Sequence, residues 1–167
     1  MSSAPLVTQP RGSTLLVGVV RGYVYAHEPP VDSFGNTPYV QLGETHTYTN
    51  WADSGTALYA FVGANGGPGH EVMATTPPED EITMAVVEVI GGSAIVDVSW
   101  REVLAPEALT AAPVTTTARA TLVAFWWGDG GVANDKTAVP DGGFEVIDSV
   151  LQEGELLVAG DEREVVA

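Results

Sequence analysis

Apolar and polar positions along this chain fall into short runs punctuated by glycine and proline. Residues 13–20 (STLLVGVV) form a continuous aliphatic and β-branched run, which predicts a strand buried on both faces. Residues 22–26 are expected to continue it past a bulge or bend. Residues 38–43, 56–63 (TALYAFVG), 70–75, 82–90 (ITMAVVEVI) and 94–100 (AIVDVSW) read as further extended segments. Turn signals separate them: Pro29-Pro30 and Gly35-Asn36 within 27–36 (HEPPVDSFGN), the NGGPG turn at 65–69, Pro77-Pro78 followed by Glu79-Asp80-Glu81, and Gly91-Gly92. Residues 44–53 read as a polar, aromatic loop carrying His46, Tyr48 and Trp51.

Beyond residue 100 the alternation weakens. Residues 101–118 are dominated by Ala, Pro and Thr and read as a crossover, with room for one helical turn in 101–109 that Pro106 limits. Residues 119–127 (RATLVAFWW) predict another strong strand, 128–143 a long Gly- and Asp-rich loop, and 144–149 and 155–159 the last strands before a polar tail. The sum is about ten short antiparallel strands and no helix, the pattern of an all-β, β-sandwich domain. Residues 1–12 stand apart as an extended N-terminal arm, because Pro5 and Pro10 oppose regular pairing; 13–167 then form a single sandwich domain. Ser13-Thr14-Leu15-Leu16-Val17 echoes Ala120-Thr121-Leu122-Val123-Ala124, which suggests quasi-repeat halves at 13–100 and 119–160. The grammar common to all sandwiches is the plainer explanation of the echo.

Composition narrows the function classes. At 167 residues and 45% hydrophobic, the chain can fill a core. Acidic residues outnumber basic ones 22 to 6, giving a net charge of −16, and Lys136 is the lone lysine. Such a chain lacks the basic footprint that nucleic-acid binding needs, and anionic membranes repel it. The absence of cysteine removes disulfides, thiolate metal sites and cysteine nucleophiles. Residues 1–12 carry no basic n-region or apolar run, and 18 apolar residues never occur in succession. The expectation is therefore a product without a signal peptide or membrane span, made in the cytoplasm.

Candidate chemistry is sparse. A retaining glycosidase needs two carboxyls about 5–5.5 Å apart. Asp97 and Glu102 have the wrong parity for one strand face, Glu88 stands alone in its strand, and Glu79/Glu81 and Glu162/Glu164 sit in polar runs. His27, His46 and His70 show no metal-ligand spacing and read as surface or half-buried side chains. Residues 63–69 (GANGGPG) join two extended segments instead of opening a helix, so a turn is the plain reading. Loop oxygens at Asp32, Asn36, Asp129 and Asp135 are weak candidates for calcium, set against ordinary Asx turns; no other cofactor is expected. Trp51, Tyr48, Trp126 and Trp127 are the candidates for a binding or interface surface; the adjacent tryptophans must face opposite sides of a strand.

Four segments carry a resemblance: GSTLLVGVV, VDSFGNTPYVQLG (in the pattern V-x-D-x-x-G-N-x-Y, with Pro38 departing from it), ALYAFVGANGGPGHEVMAT as a hairpin, and MAVVEVIGG. With ATLVAFWWGDG and VPDGGFEVIDS in the second half, the chain resembles concanavalin-like jelly-roll modules of phage virion proteins and bacterial surface proteins. The resemblance implies a jelly-roll fold and transfers no catalytic residue. It implies a non-enzymatic virion component of a tailed bacteriophage or related virus: a capsid decoration, head-surface or tail-associated protein. Such a protein would be a homo-oligomer, plausibly a trimer, contacting the major capsid protein or other virion proteins through its arm. The alternative is a carbohydrate-binding module for adhesion, with calcium as a possible aid.

Overall fold

The computed structural model of the protein describes residues 1–25, 27–78, 80–104, 110–129, 141–147, 149–151 and 163–166, with 128–129, 149–151 and 163–166 described by backbone alone. These residues are all-β, with antiparallel pairing in every ladder and no helix. The chain divides into two compact units, Met1–Leu122 and Val123–Ala167.

The first unit contains β1 (Leu6–Val7), β2 (Arg11–Arg21), β3 (Val31–Asp32), β4 (Val40–Gln41), β5 (His46–Thr47), β6 (Gly55–Asn65), β7 (Pro68–His70), β8 (Val72–Met73) and β9 (Ile82–Val89). The second contains β10 (Trp126–Asp129), β11 (Ser149–Leu151) and β12 (Arg163–Val166), with β12 in the middle. The main sheet runs β4-β6-β2-β9, and β5 pairs with the start of β6. Two small ladders, β1-β7 and β3-β8, complete the first unit.

The uninterrupted apolar run makes β2 the central strand. It pairs with β6 on one edge (Val17 opposite Tyr59) and β9 on the other (Val17 opposite Val86), and residues 13–21 are all buried. Alternation then sorts its side chains. Leu15, Val17 and Val19 join Ala57 and Tyr59 of β6 in a core closed by Tyr39, Val72 and Ala74. Phe61 of β6 and Ile82, Met84 and Val86 of β9 pack against it. Leu16, Val20, Ala60 and Val87 on the opposite parity are buried too, as a two-sided strand requires. Truncating Leu15 to Ala in this core should cost about 2–5 kcal/mol through lost transfer energy and the cavity left behind.

Several expected elements differ. The strand at 13–20 ends at Arg21 and does not continue through 22–25, where Gly22 and Val24 bond to Glu81 and Asp53 instead of a strand partner. The loop at 44–53 contains β5, and the Tyr48–Ser54 turn returns it to β6. The expected 56–75 hairpin does not form: after Gly66-Gly67 the chain leaves β6, pairs β7 with β1 and pairs β8 with β3. Residues 94–100 alternate yet find no ladder, and no strand or helix occurs among the described residues between β9 and β10. Only the last two residues of 119–127 are in a strand, and residues 144–147 are in none. The polar tail holds β12, whereas the strand expected at 155–159 and the loop from 130 to 140 lie outside the described residues. Ala120–Ala124, the proposed echo of the β2 start, is not a strand.

The N-terminal arm is extended, and it lies along its own domain. Ser3 N donates to Val72 O, Ala74 N to Met1 O, and the Met1 ammonium to Ala74 O. Further on, Thr8 N donates to Gly67 O and Gln9 N to the Glu88 carboxylate. Pro5 and Pro10 fall on either side of the two-residue β1, so neither removes a donor from its ladder.

Candidate functional site

The V-D-S-F-G-N segment builds a buried polar network around one carboxylate. Asp32 ends β3, and its backbone carbonyl accepts from Gly35 N in a tight turn. Gly35 sits at φ +74°, a left-handed conformation that explains glycine at this place in the motif. The turn folds the chain back so that Asp32 Oδ1 accepts from Phe34 N and Asn36 N, both at 3.0 Å. Oδ2 accepts from Asn36 Nδ2 and Tyr39 OH, both at 2.7 Å. His70 Nε2 faces the same oxygen at 3.2 Å. Asn36 then bridges to β6: its Nδ2 donates to Asn65 O and its Oδ1 accepts from Asn65 N. The Thr37–Pro38 peptide bond within the motif is cis.

Electrostatics follow from this set of donors. Burial pushes the Asp32 pKa up, but hydrogen bonds from Tyr39, from the Asn36 side chain and backbone, and from His70 outweigh it and hold the carboxyl below its ordinary value. Burial, together with the adjacent carboxylate, raises the Tyr39 phenol far above its ordinary range. The ionised carboxylate therefore meets a neutral phenol that donates to it.

The network continues to the arm. His70 is fully buried, and its Nδ1 lies 2.9 Å from Thr8 Oγ1. Gly67 N donates to the same hydroxyl at 3.0 Å. The tautomer with the His70 proton on Nε2 turns it toward Asp32 and lets Nδ1 accept from the Thr8 hydroxyl. Phe34 lies against the imidazole, with ring centroids 4.8 Å apart. Hydroxyl, imidazole and carboxylate in this order are also the parts of a nucleophilic relay. Here Thr8 is 6% exposed and His70 0%, so the line acts as an internal latch between arm, β7 and loop.

The sequence candidates are placed as follows. Asp32 and Asn36 do come together, but as donor and acceptor of one another. Four hydrogen bonds, with His70 Nε2 3.2 Å away, already occupy the Asp32 oxygens, so the lone pairs a cation would need are taken. Among the described residues no group of three or more His, Asp or Glu side chains is arranged to hold a metal. The Asp129 side chain and the whole of Asp135 lie outside the described residues. Trp51 stands 54% exposed on the Tyr48–Ser54 turn, and Tyr48 beside it is half-buried with its hydroxyl on Thr56 Oγ1. Trp126 and Trp127 are both half-buried in β10 of the second unit. His27 and His46 are half-buried as expected, but His70 belongs at the centre of the network.

Thr8, Tyr39 and His70 were not legible as a set. Tyr39 is within the D-x-x-G-N-x-x-Y spacing, but Thr8 and His70 reach Asp32 only through the arm and β7. No family model matches the chain, and no curated protein or solved structure matches it.

Proposed function

We propose that the protein is a non-enzymatic structural component of a virion, a capsid decoration or head-surface protein of a tailed phage or related virus, built on a jelly-roll-like sandwich and working as a homo-oligomer. One observation carries this reading. Between β9 and β10 the described chain makes no ladder and leaves apolar side chains outward: Ile90, Val96, Val98, Trp100, Leu104, Val114 and Leu122 are all exposed, Ile90 by 68%. Repeated exposure of large apolar side chains along one segment is what an interaction surface requires. A sheet-forming sequence without a ladder of its own suits pairing with another copy or a capsid subunit. Because the arm is held by its own domain, attachment is assigned to the described residues 90–104 and 110–122 in preference to the arm.

The test combines particle mass spectrometry with light scattering. The protein should co-purify with virions at a copy number matching a symmetric cluster, and the purified chain should be oligomeric, a trimer being one closed solution. Val96→Asp with Trp100→Asp should give folded monomers that no longer bind particles. A monomeric wild type absent from particles would refute the proposal. The carbohydrate-binding reading has one supporting feature, the exposed indole of Trp51 on its turn. A glycan array run with and without calcium tests it, and silence in both conditions removes it.

A further inference from the structure

We propose that the pocket at the Arg21 end of β2 binds a small organic carboxylate. Arg21 closes the central strand with its side chain 3% exposed. A guanidinium carries five N–H donors and stays charged. Nε donates to Thr75 O at 2.9 Å, and Nη2 is buried without a partner. Among the described residues no carboxylate forms an ion pair with it. A buried cation lacking both a counter-charge and full hydrogen bonding is strongly unfavourable, so an anion supplied from outside would relieve it.

The surroundings fit that role. Arg21 lines a pocket of about 200 Å³ together with Val24, His27, Gln41, Thr45 and Tyr59, among others. The chain carries 22 acidic residues, yet none of the described ones lines this pocket. The described lining thus presents one guanidinium and no carboxylate; the neighbouring Asp80 carboxylate is held by the Thr76 hydroxyl. A planar guanidinium matches a carboxylate at two points. The lining is mainly polar, with Val24 and Tyr59 adding carbon surface against which a short organic stem can lie. At the mouth, Gln41 Nε2 donates to Thr45 Oγ1 at 3.1 Å, an exposed polar pair able to meet ligand hydroxyls. Aliphatic acids and sugar acids share this chemistry.

Amide-resolved NMR titration of the full chain tests the proposal, with butanoate and glucuronate as probes and butanamide and inorganic phosphate as controls. The expected result is saturable shifts at Arg21, Gln41 and Thr45 with at least one acid, and none with butanamide. Which acid saturates first identifies the source. Arg21→Gln should abolish the response, but removing a buried side chain endangers the fold. Thr45→Glu, at an exposed position, keeps the fold and sets a competing carboxylate at the mouth, weakening binding by about tenfold or more. No saturation with either acid, an equal response to butanamide, saturation by phosphate alone, or unchanged binding in folded Thr45→Glu would each overturn the assignment.

Discussion

Replacing Tyr39 by Phe isolates the energetics of the Asp32 network. The substitution deletes one buried hydroxyl, leaves the ring in the core beside Phe61, and creates no cavity large enough to matter. It removes the 2.7 Å bond from Tyr39 to Asp32 Oδ2. Hydrogen bonds to charged groups contribute about 1.5–3 kcal/mol, and that is the loss expected near pH 7. The loss should also depend on pH. The folded Asp32 pKa is depressed, so its contribution is complete above the unfolded pKa near 3.8 and disappears as pH falls through the folded value. Removing the Tyr39 donor raises the folded pKa toward the unfolded one and shrinks that contribution. Wild type and Tyr39→Phe should therefore converge in acid. Urea unfolding from pH 7 down to pH 2.5, followed by tryptophan fluorescence, measures the difference. A gap below about 0.5 kcal/mol at pH 7, or one that does not narrow in acid, would refute a charged, donor-saturated carboxylate.

Three further outcomes follow from the packing. Gly66→Ala should destabilise the fold by more than about 1 kcal/mol and loosen the arm, because the added Cβ meets Thr8 Oγ1 and the Gln9 carbonyl; denaturation and hydrogen exchange at residues 1–9 read both effects. Deleting residues 1–9 should lower the melting temperature and strip amide protection from 66–74, since that stretch loses its partner; an unchanged melting temperature would show that the arm is not integral. Trp51→Ala should change stability by less than about 0.5 kcal/mol, while reducing particle or glycan binding if its exposed ring makes the contact.

Local pattern was enough for some elements and powerless for others. Continuous apolar character located β2 and β9, and the mixture of aliphatic and aromatic residues located β6, because each segment's burial is written in its own residues. The NGGPG turn was equally legible, but the partner waiting beyond it was not. Turn chemistry fixes a reversal, whereas the pairing of β7 with β1 is decided by residues more than 60 positions away. Residues 94–100 show the opposite error, since alternation supplies a side-chain pattern without supplying a ladder partner. Asp32 and Asn36 stood among four weak calcium candidates set against ordinary Asx turns, and their bonding to one another was not foreseen. Sequence reveals that a loop carries oxygens; whether those oxygens meet metal or N–H groups depends on how the loop folds onto Tyr39 and His70.

The position of β2 also sets a timetable for biosynthesis. The long apolar strand β2 is complete at Arg21, whereas its two neighbours, β6 and β9, end at Asn65 and Val89. At translation speeds of about 5–20 residues per second, roughly three to fourteen seconds separate the completion of β2 from that of β9. Through that interval the nascent chain displays an unaccompanied aggregation-prone strand. The half-made protein is accordingly a client for chaperones that shelter extended apolar segments, and its yield should respond to chaperone supply and to slower growth temperature more than to any change that strengthens the finished fold.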